Sequence, residues 1–87
     1  MKSLNVKIPL DIAARMSDNA ELNPNYITGF IVSYFYRAEE LDQPITGPAF
    51  NYTFKIDNDL HKSIKLKAIE LDLPMNEVVG RLLVEYY

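Results

Sequence analysis

The chain has no cysteine and a single histidine, His61. Without thiols, a disulfide scaffold, a cysteine-ligated zinc or iron–sulfur centre and a Cys–His nucleophile pair are all excluded. One imidazole is too few for a His-rich metal site. Glycine is scarce, at three residues, and neither G-x-G-x-x-G nor the Walker spacing can be assembled, so Gly47 belongs to no phosphate-binding loop. No apolar run approaches the ~18 residues of a membrane span, and no charged-then-apolar leader opens the sequence. A cytoplasmic protein with no membrane contact is expected. Basic residues are in deficit, 9 against 12 acidic, for a net charge of −3. A non-specific nucleic-acid binder usually has a basic body, so this balance argues against one, although an acidic body can still present one basic face.

The titratable residues that are present form no catalytic set. His61 stands beside Lys62 with no triad or ligand partner and reads as a surface histidine. Asp57 and Asp59 read as a helix cap and a first-turn acid rather than as paired carboxylates. Neither an enzyme nor a cofactor is expected.

With 87 residues, 48% apolar and 24% charged, the chain is sized and composed for one small packed domain. A weak internal repeat organises it. Leu4-Asn5-Val6-Lys7-Ile8 aligns with Tyr52-Thr53-Phe54-Lys55-Ile56, 48 residues later. Both segments alternate apolar and polar residues, as a half-buried strand does. Asn25-Tyr26-Ile27-Thr28-Gly29 aligns with Asn76-Glu77-Val78-Val79-Gly80 at an offset of 51. Each copy therefore reads as a strand, a helix, a turn and a second helix. The copies span about 3–40 and 51–87 of a single domain, 1–87, and are joined by a Pro- and Gly-bearing linker, 41–50.

In copy one the first helix is predicted from Pro9 to Ala20, with Ile12, Ala13, Met16 and Ala20 on its buried stripe. The second starts at Asn23 as N-cap and Pro24 at N1, and buries Ile27, Phe30, Ile31, Tyr34 and Ala38. In copy two, Asp57 caps a helix burying Leu60, Ile64, Ala68 and Leu71. Pro74, Asn76 and Glu77 then open a last helix with Val78, Leu82 and Tyr86 inward. A copy of about 40 residues is too small to be stable alone without a staple, and a lone strand leaves its backbone unpaired. Sharing one core solves both problems. The expected fold is mainly α with a short β-ribbon: two fused βαα repeats, a two-stranded antiparallel ribbon over four helices, and a pseudo-two-fold axis.

This pattern resembles the ribbon–helix–helix family of the Arc and MetJ type, taken as a tandem single-chain pseudo-dimer. The turn Asp72-Leu73-Pro74-Met75-Asn76-Glu77 keeps Asn76 and Glu77 of the family's Gly-x-Ser-x-Asn-Glu but lacks its glycine and serine. In copy one, Leu22-Asn23-Pro24-Asn25-Tyr26 sets Asn25 at the position of Asn76. The resemblance implies a ribbon that enters the major groove of double-stranded DNA and reads base edges with its outward side chains.

If Leu4, Val6 and Ile8 face the core, Ser3, Asn5 and Lys7 face out. The matching outward set is Asn51, Thr53 and Lys55, with Tyr52, Phe54 and Ile56 inside. All six outward residues are polar and none is acidic, and Asn, Lys, Thr and Ser all have base-edge partners. The family also clamps phosphates at the start of the second helix. That implies phosphate contacts at Asn23, Asn25, Met75 and Asn76, although proline removes one donor from each start; Lys2, ahead of the first strand, is a further expected phosphate contact.

The function so implied is sequence-specific DNA binding, as a small transcriptional repressor or a plasmid- or phage-type DNA-processing accessory factor. The alternative is a protein-binding module on the same fold, an antitoxin or an inhibitor of another protein. Family antitoxins carry a toxin-wrapping segment after the second helix, and residues 1–87 include none. The aromatic residues Tyr34, Phe35, Tyr36, Tyr86 and Tyr87 cover more than one helix face and are candidates for self-association.

Overall fold

A computed structural model describes residues 1–41 and 44–87. Its elements are strand β1 (Lys2–Pro9), helices α1 (Leu10–Asp18) and α2 (Pro24–Tyr34), a 3-10 turn (Phe35–Glu40), strand β2 (Ala49–Ile56), and helices α3 (Asn58–Leu71) and α4 (Met75–Tyr86). The chain is mainly helical, with four α-helices and a two-stranded antiparallel sheet among the described residues. Of the expected linker, Asp42 and Gln43 lie outside the described residues.

The ribbon forms because both strands alternate. Leu4, Val6, Ile8, Phe54 and Ile56 are buried, Tyr52 is half-buried, and the residues between them face outward. β2 begins earlier than expected, at Ala49, so the linker ends at Pro48. Phe50 continues the inner parity opposite Ile8, as the alternation Phe50-Asn51-Tyr52-Thr53-Phe54 indicates, but lies at the ribbon's end and is 39% exposed.

Helix α1 is shorter than its periodicity suggests. Pro9 still belongs to β1 and serves as N-cap with an extended ψ of 142°. Ala20, expected on the buried stripe, is instead exposed with φ +57°, beyond the helix. There it closes α1 in the left-handed conformation, with Glu21 N–H donating to the Met16 carbonyl. That conformation costs an L-residue about 1–2 kcal/mol. Asp72 closes α3 the same way at φ +56°, and Leu73 N–H donates back to Ala68.

The capping expectations hold at Asn23, whose Oδ1 accepts from Tyr26 N–H at 2.8 Å, and at Asp57, which accepts from Asp59 and Leu60 N–H at 3.0 and 3.3 Å. Leu60, Leu71 and His61 are half-buried rather than fully inside or fully outside. Ala38 is buried as expected, but within the 3-10 turn that replaces the last turn of the second helix.

One hydrophobic cluster draws on both strands and all four helices, and no polar residue among those described is buried. Of the three glycines, Gly80 of α4 is the one packed within it. A Cβ there would stand 2.0 Å from the Lys7 carbonyl oxygen of β1 and 2.7 Å from the Ile45 side chain. Only glycine lets the helix backbone approach the strand this closely. Gly29, the aligned residue of α2, has nothing within 4 Å of such a Cβ, so the two halves pack unequally.

Candidate nucleic-acid interface

The ribbon's register brings the six sequence-predicted base-reading residues together as three cross-strand pairs: Ser3 with Lys55, Asn5 with Thr53, and Lys7 with Asn51. Strand pleating places all six on the face opposite the core. Five are exposed and Lys7 is half-buried. At the centre Asn5 Nδ2 donates to Thr53 Oγ1 at 3.0 Å. The carbonyl of Asn5, its second amide hydrogen and the Thr53 hydroxyl hydrogen stay available to a ligand. Lys7 and Lys55 lie two residues beyond the central pair on antiparallel strands, so they occupy opposite ends of the face. The face has two positive charges and no negative one.

Lys2 does not join this face. It pairs with Ile56, and its parity is that of Leu4, Val6 and Ile8, so it stands exposed at the ribbon's end on the other side.

The two helix starts differ as anion sites. At α2, the Asn23 side chain is occupied: it accepts from Tyr26 N–H and donates to the Ala20 carbonyl at 2.9 Å. Pro24 has no N–H, so Asn25 alone offers a free first-turn amide. At α4, Pro74 sits at the N-cap with ψ 141°, outside the helix, and removes no first-turn donor; the expected loss does not occur there. The amides of Met75 and Asn76 have no partner among the described residues. Glu77 N–H donates to the Pro74 carbonyl at 3.0 Å. The Glu77 carboxylate would repel a phosphate, but it is held by Arg81 at 3.0 Å. The α4 start is therefore the better anion site of the two.

The aromatic residues expected to support self-association are mostly spent within the chain. Tyr34 stacks on Tyr86 with ring centroids 5.3 Å apart. Tyr87 meets Tyr26 edge-on at 6.3 Å, hydrogen bonds to Glu21 and lies under the Arg15 guanidinium at 5.1 Å. The Glu21 contact raises the Tyr87 phenol above its usual pKa, and burial adds to the shift. Phe35 is half-buried against the core. Tyr36 is the most exposed of the five, at 72%, and touches Arg37, whose Nε donates to its hydroxyl at 3.0 Å and whose guanidinium lies 5.4 Å from its ring centroid.

Among the described residues no group of three or more His, Cys, Asp or Glu side chains could hold a metal ion, and no helix is long and apolar enough to cross a membrane. No family model matches the chain, nor does any curated protein or solved structure.

Proposed function

We propose that the chain binds double-stranded DNA sequence-specifically by laying the β1–β2 ribbon in the major groove, as a fused pair of ribbon–helix–helix repeats. The observation that carries this reading is the outward ribbon face. On a chain of net charge −3, six polar residues without one acid are gathered on a single two-stranded surface. A two-stranded ribbon is one of the shapes the major groove admits. Asn5 can pair with adenine, and Lys7 and Lys55 with guanine or a nearby phosphate.

The register supports the repeat. Exchanging the copies at the 48-residue offset of the strand alignment converts the Ser3–Lys55 pair into Asn51–Lys7 and returns Asn5–Thr53 to itself. The pseudo-two-fold axis would then pass through that central pair. The order strand, helix, helix occurs twice, and Asn25 and Asn76 hold the same second position of α2 and α4. The unequal packing at Gly29 and Gly80 marks where the copies have diverged. In this reading the chain acts as a small repressor or a DNA-processing accessory factor, and the Met75–Asn76 amides take a flanking phosphate.

The test is selection of bound duplexes from a random pool at moderate salt. Enrichment of a short motif supports the reading. Absence of any motif overturns it and favours a protein partner on the same fold.

A further inference from the structure

From Leu22 to Tyr36 the chain runs 15 residues without a charge, although about a quarter of all its residues are charged. That run includes all of α2. The solvent faces of the other helices all include charges: Asp11 and Arg15 on α1, Lys62 and Lys65 on α3, where they stand beside the exposed Leu66 and Ile69, and Glu85 on α4. α2 instead exposes Asn25, Gly29, Val32 and Ser33, continued by Tyr36. Val32 is 67% exposed and Tyr36 72%. Asn25, Gly29 and Val32 succeed one another at steps of four and three residues, the spacing of a helix-pairing seam, and Tyr36 extends the uncharged surface into the 3-10 turn. α2 thus has two stripes, one turned to the core through Ile27, Phe30 and Ile31 and one turned to solvent.

We infer that the outer stripe of α2 is a dimerisation face, taken by α2 of a second copy running antiparallel with closest approach at Gly29. The charges argue for this occupant. Two copies of an acidic chain repel each other through most surfaces, and a two-fold contact sets a patch against itself, so an uncharged patch is the one that avoids repulsion. The charges closing the run are opposite in sign, Glu21 before it and Arg37 after it, each eight residues from Gly29; within one copy Glu21 accepts from the Tyr87 hydroxyl and Arg37 pairs with Glu40 at 3.5 Å, so it is the sign of each end, rather than a free side chain, that bears on the pairing. An antiparallel pair brings Glu21 of one copy towards Arg37 of the other at both ends. A parallel pair would set like against like. Antiparallel helices also align their dipoles favourably.

The shape agrees. A Cβ at Gly29 would meet nothing within 4 Å, so a partner helix can come close. A groove of about 390 Å³ between Tyr26, Gly29, Phe30 and Ser33 runs beside the Val32 ridge and can receive the partner's Val32. Asn25 belongs both to this seam and to the weaker phosphate site, whereas Met75 and Asn76 lie outside it. The inference does not depend on DNA binding.

A face of one helix is small against the ~1,200–2,000 Å² of stable interfaces, so association at about 1–100 μM is expected. Sedimentation equilibrium of the full chain should show a reversible dimer in this range. Val32→Glu should weaken it by about tenfold or more without changing the far-ultraviolet circular dichroism. The absence of native cysteine allows a direct geometric test. Gly29→Cys should oxidise to a disulfide-linked dimer much faster than Ile69→Cys on α3, since a disulfide needs Cα atoms about 4.4–6.8 Å apart. A mixture of Asn25→Cys and Ser33→Cys should form the mixed disulfide in preference to either homodimer. A wild-type chain that stays monomeric at about 1 mM, or a dimer indifferent to Val32→Glu, overturns the inference. Preferential Asn25–Asn25 linkage overturns the antiparallel arrangement.

Discussion

Asn5 and Thr53, 48 residues apart in sequence, face each other across the ribbon and share a hydrogen bond of 3.0 Å on its outer surface. Exposed as it is, the bond contributes little to folding, because water competes for both groups. Its effect is orientational: it holds two side chains side by side, with an acceptor and two donor hydrogens still free. Fixed polar groups at the centre of an open face are suited to reading a pattern. The buried inner face of the same strands supplies the stability.

That division of labour predicts unequal mutational costs on adjacent residues. Phe54 is 6% exposed and packs in the shared cluster, so Phe54→Ala should destabilise by about 3–5 kcal/mol. Thr53→Ala should stay within about 0.5 kcal/mol. Urea unfolding of the two variants measures both, and equal losses would mean that the strand faces are misassigned.

Gly80 and Gly29 are aligned residues with opposite surroundings, and alanine separates them. At Gly80 the new methyl collides with the Lys7 carbonyl, and a backbone obstacle cannot swing aside. Gly80→Ala should cost about 1–3 kcal/mol, as overpacking does. At Gly29 the methyl enters open space, and the gain in helix propensity should stabilise the dilute chain by about 0.5–1 kcal/mol. Thermal unfolding at low concentration should give shifts of opposite sign.

Much of this arrangement was legible in the sequence, for reasons the glycines illustrate. Strand alternation, the Asn23 and Asp57 caps and the helical stripes are local patterns, and local patterns survive into the fold. What was not legible depends on tertiary contact. Ala20 looks like one more stripe residue until the chain must turn at that point. Tyr34, Tyr86 and Tyr87 look like a sticky surface until α2 and α4 bring their rings together. The occupied state of Asn23 required knowing that Ala20 offers its carbonyl nearby.

The Glu21–Tyr87 contact predicts an alkaline signature. The hydrogen bond to Glu21, followed by burial, holds the Tyr87 phenol above its usual value of 10.0. A folded-state pKa raised in this way means stabilisation that is fully present below about pH 10 and is lost as pH climbs through the folded value. Burial raises Tyr26 and Tyr86 in the same direction. Glu21 also raises Tyr26, after burial, so Glu21→Gln should lower the pH at which Tyr87 and Tyr26 ionise, followed by tyrosinate absorbance, and should flatten the decline in stability above pH 10. An unchanged titration would mean that the two side chains do not meet in solution.

The lysines of the outer face and of the ribbon's end should separate in DNA binding. Lys7 and Lys55 flank the central pair, whereas Lys2 lies on the opposite parity. If the ribbon enters the major groove, Asn5→Ala or Thr53→Ala should relax preference at one or two base positions, at about 1–3 kcal/mol for each good contact. Lys7→Ala or Lys55→Ala should do the same where the ammonium reaches a base. Where it reaches a phosphate, its loss should weaken binding to all sequences alike and lower the salt slope by about one. Lys2→Ala should leave base preference untouched. Titration of each variant against selected and scrambled duplexes at several salt concentrations distinguishes these outcomes. Since the remainder of the chain is acidic, little non-specific affinity should be left once both outer lysines are removed. Retention of wild-type affinity and preference by all the outer-face variants would mean that the ribbon is not the reading surface, and the case for DNA would fall with it.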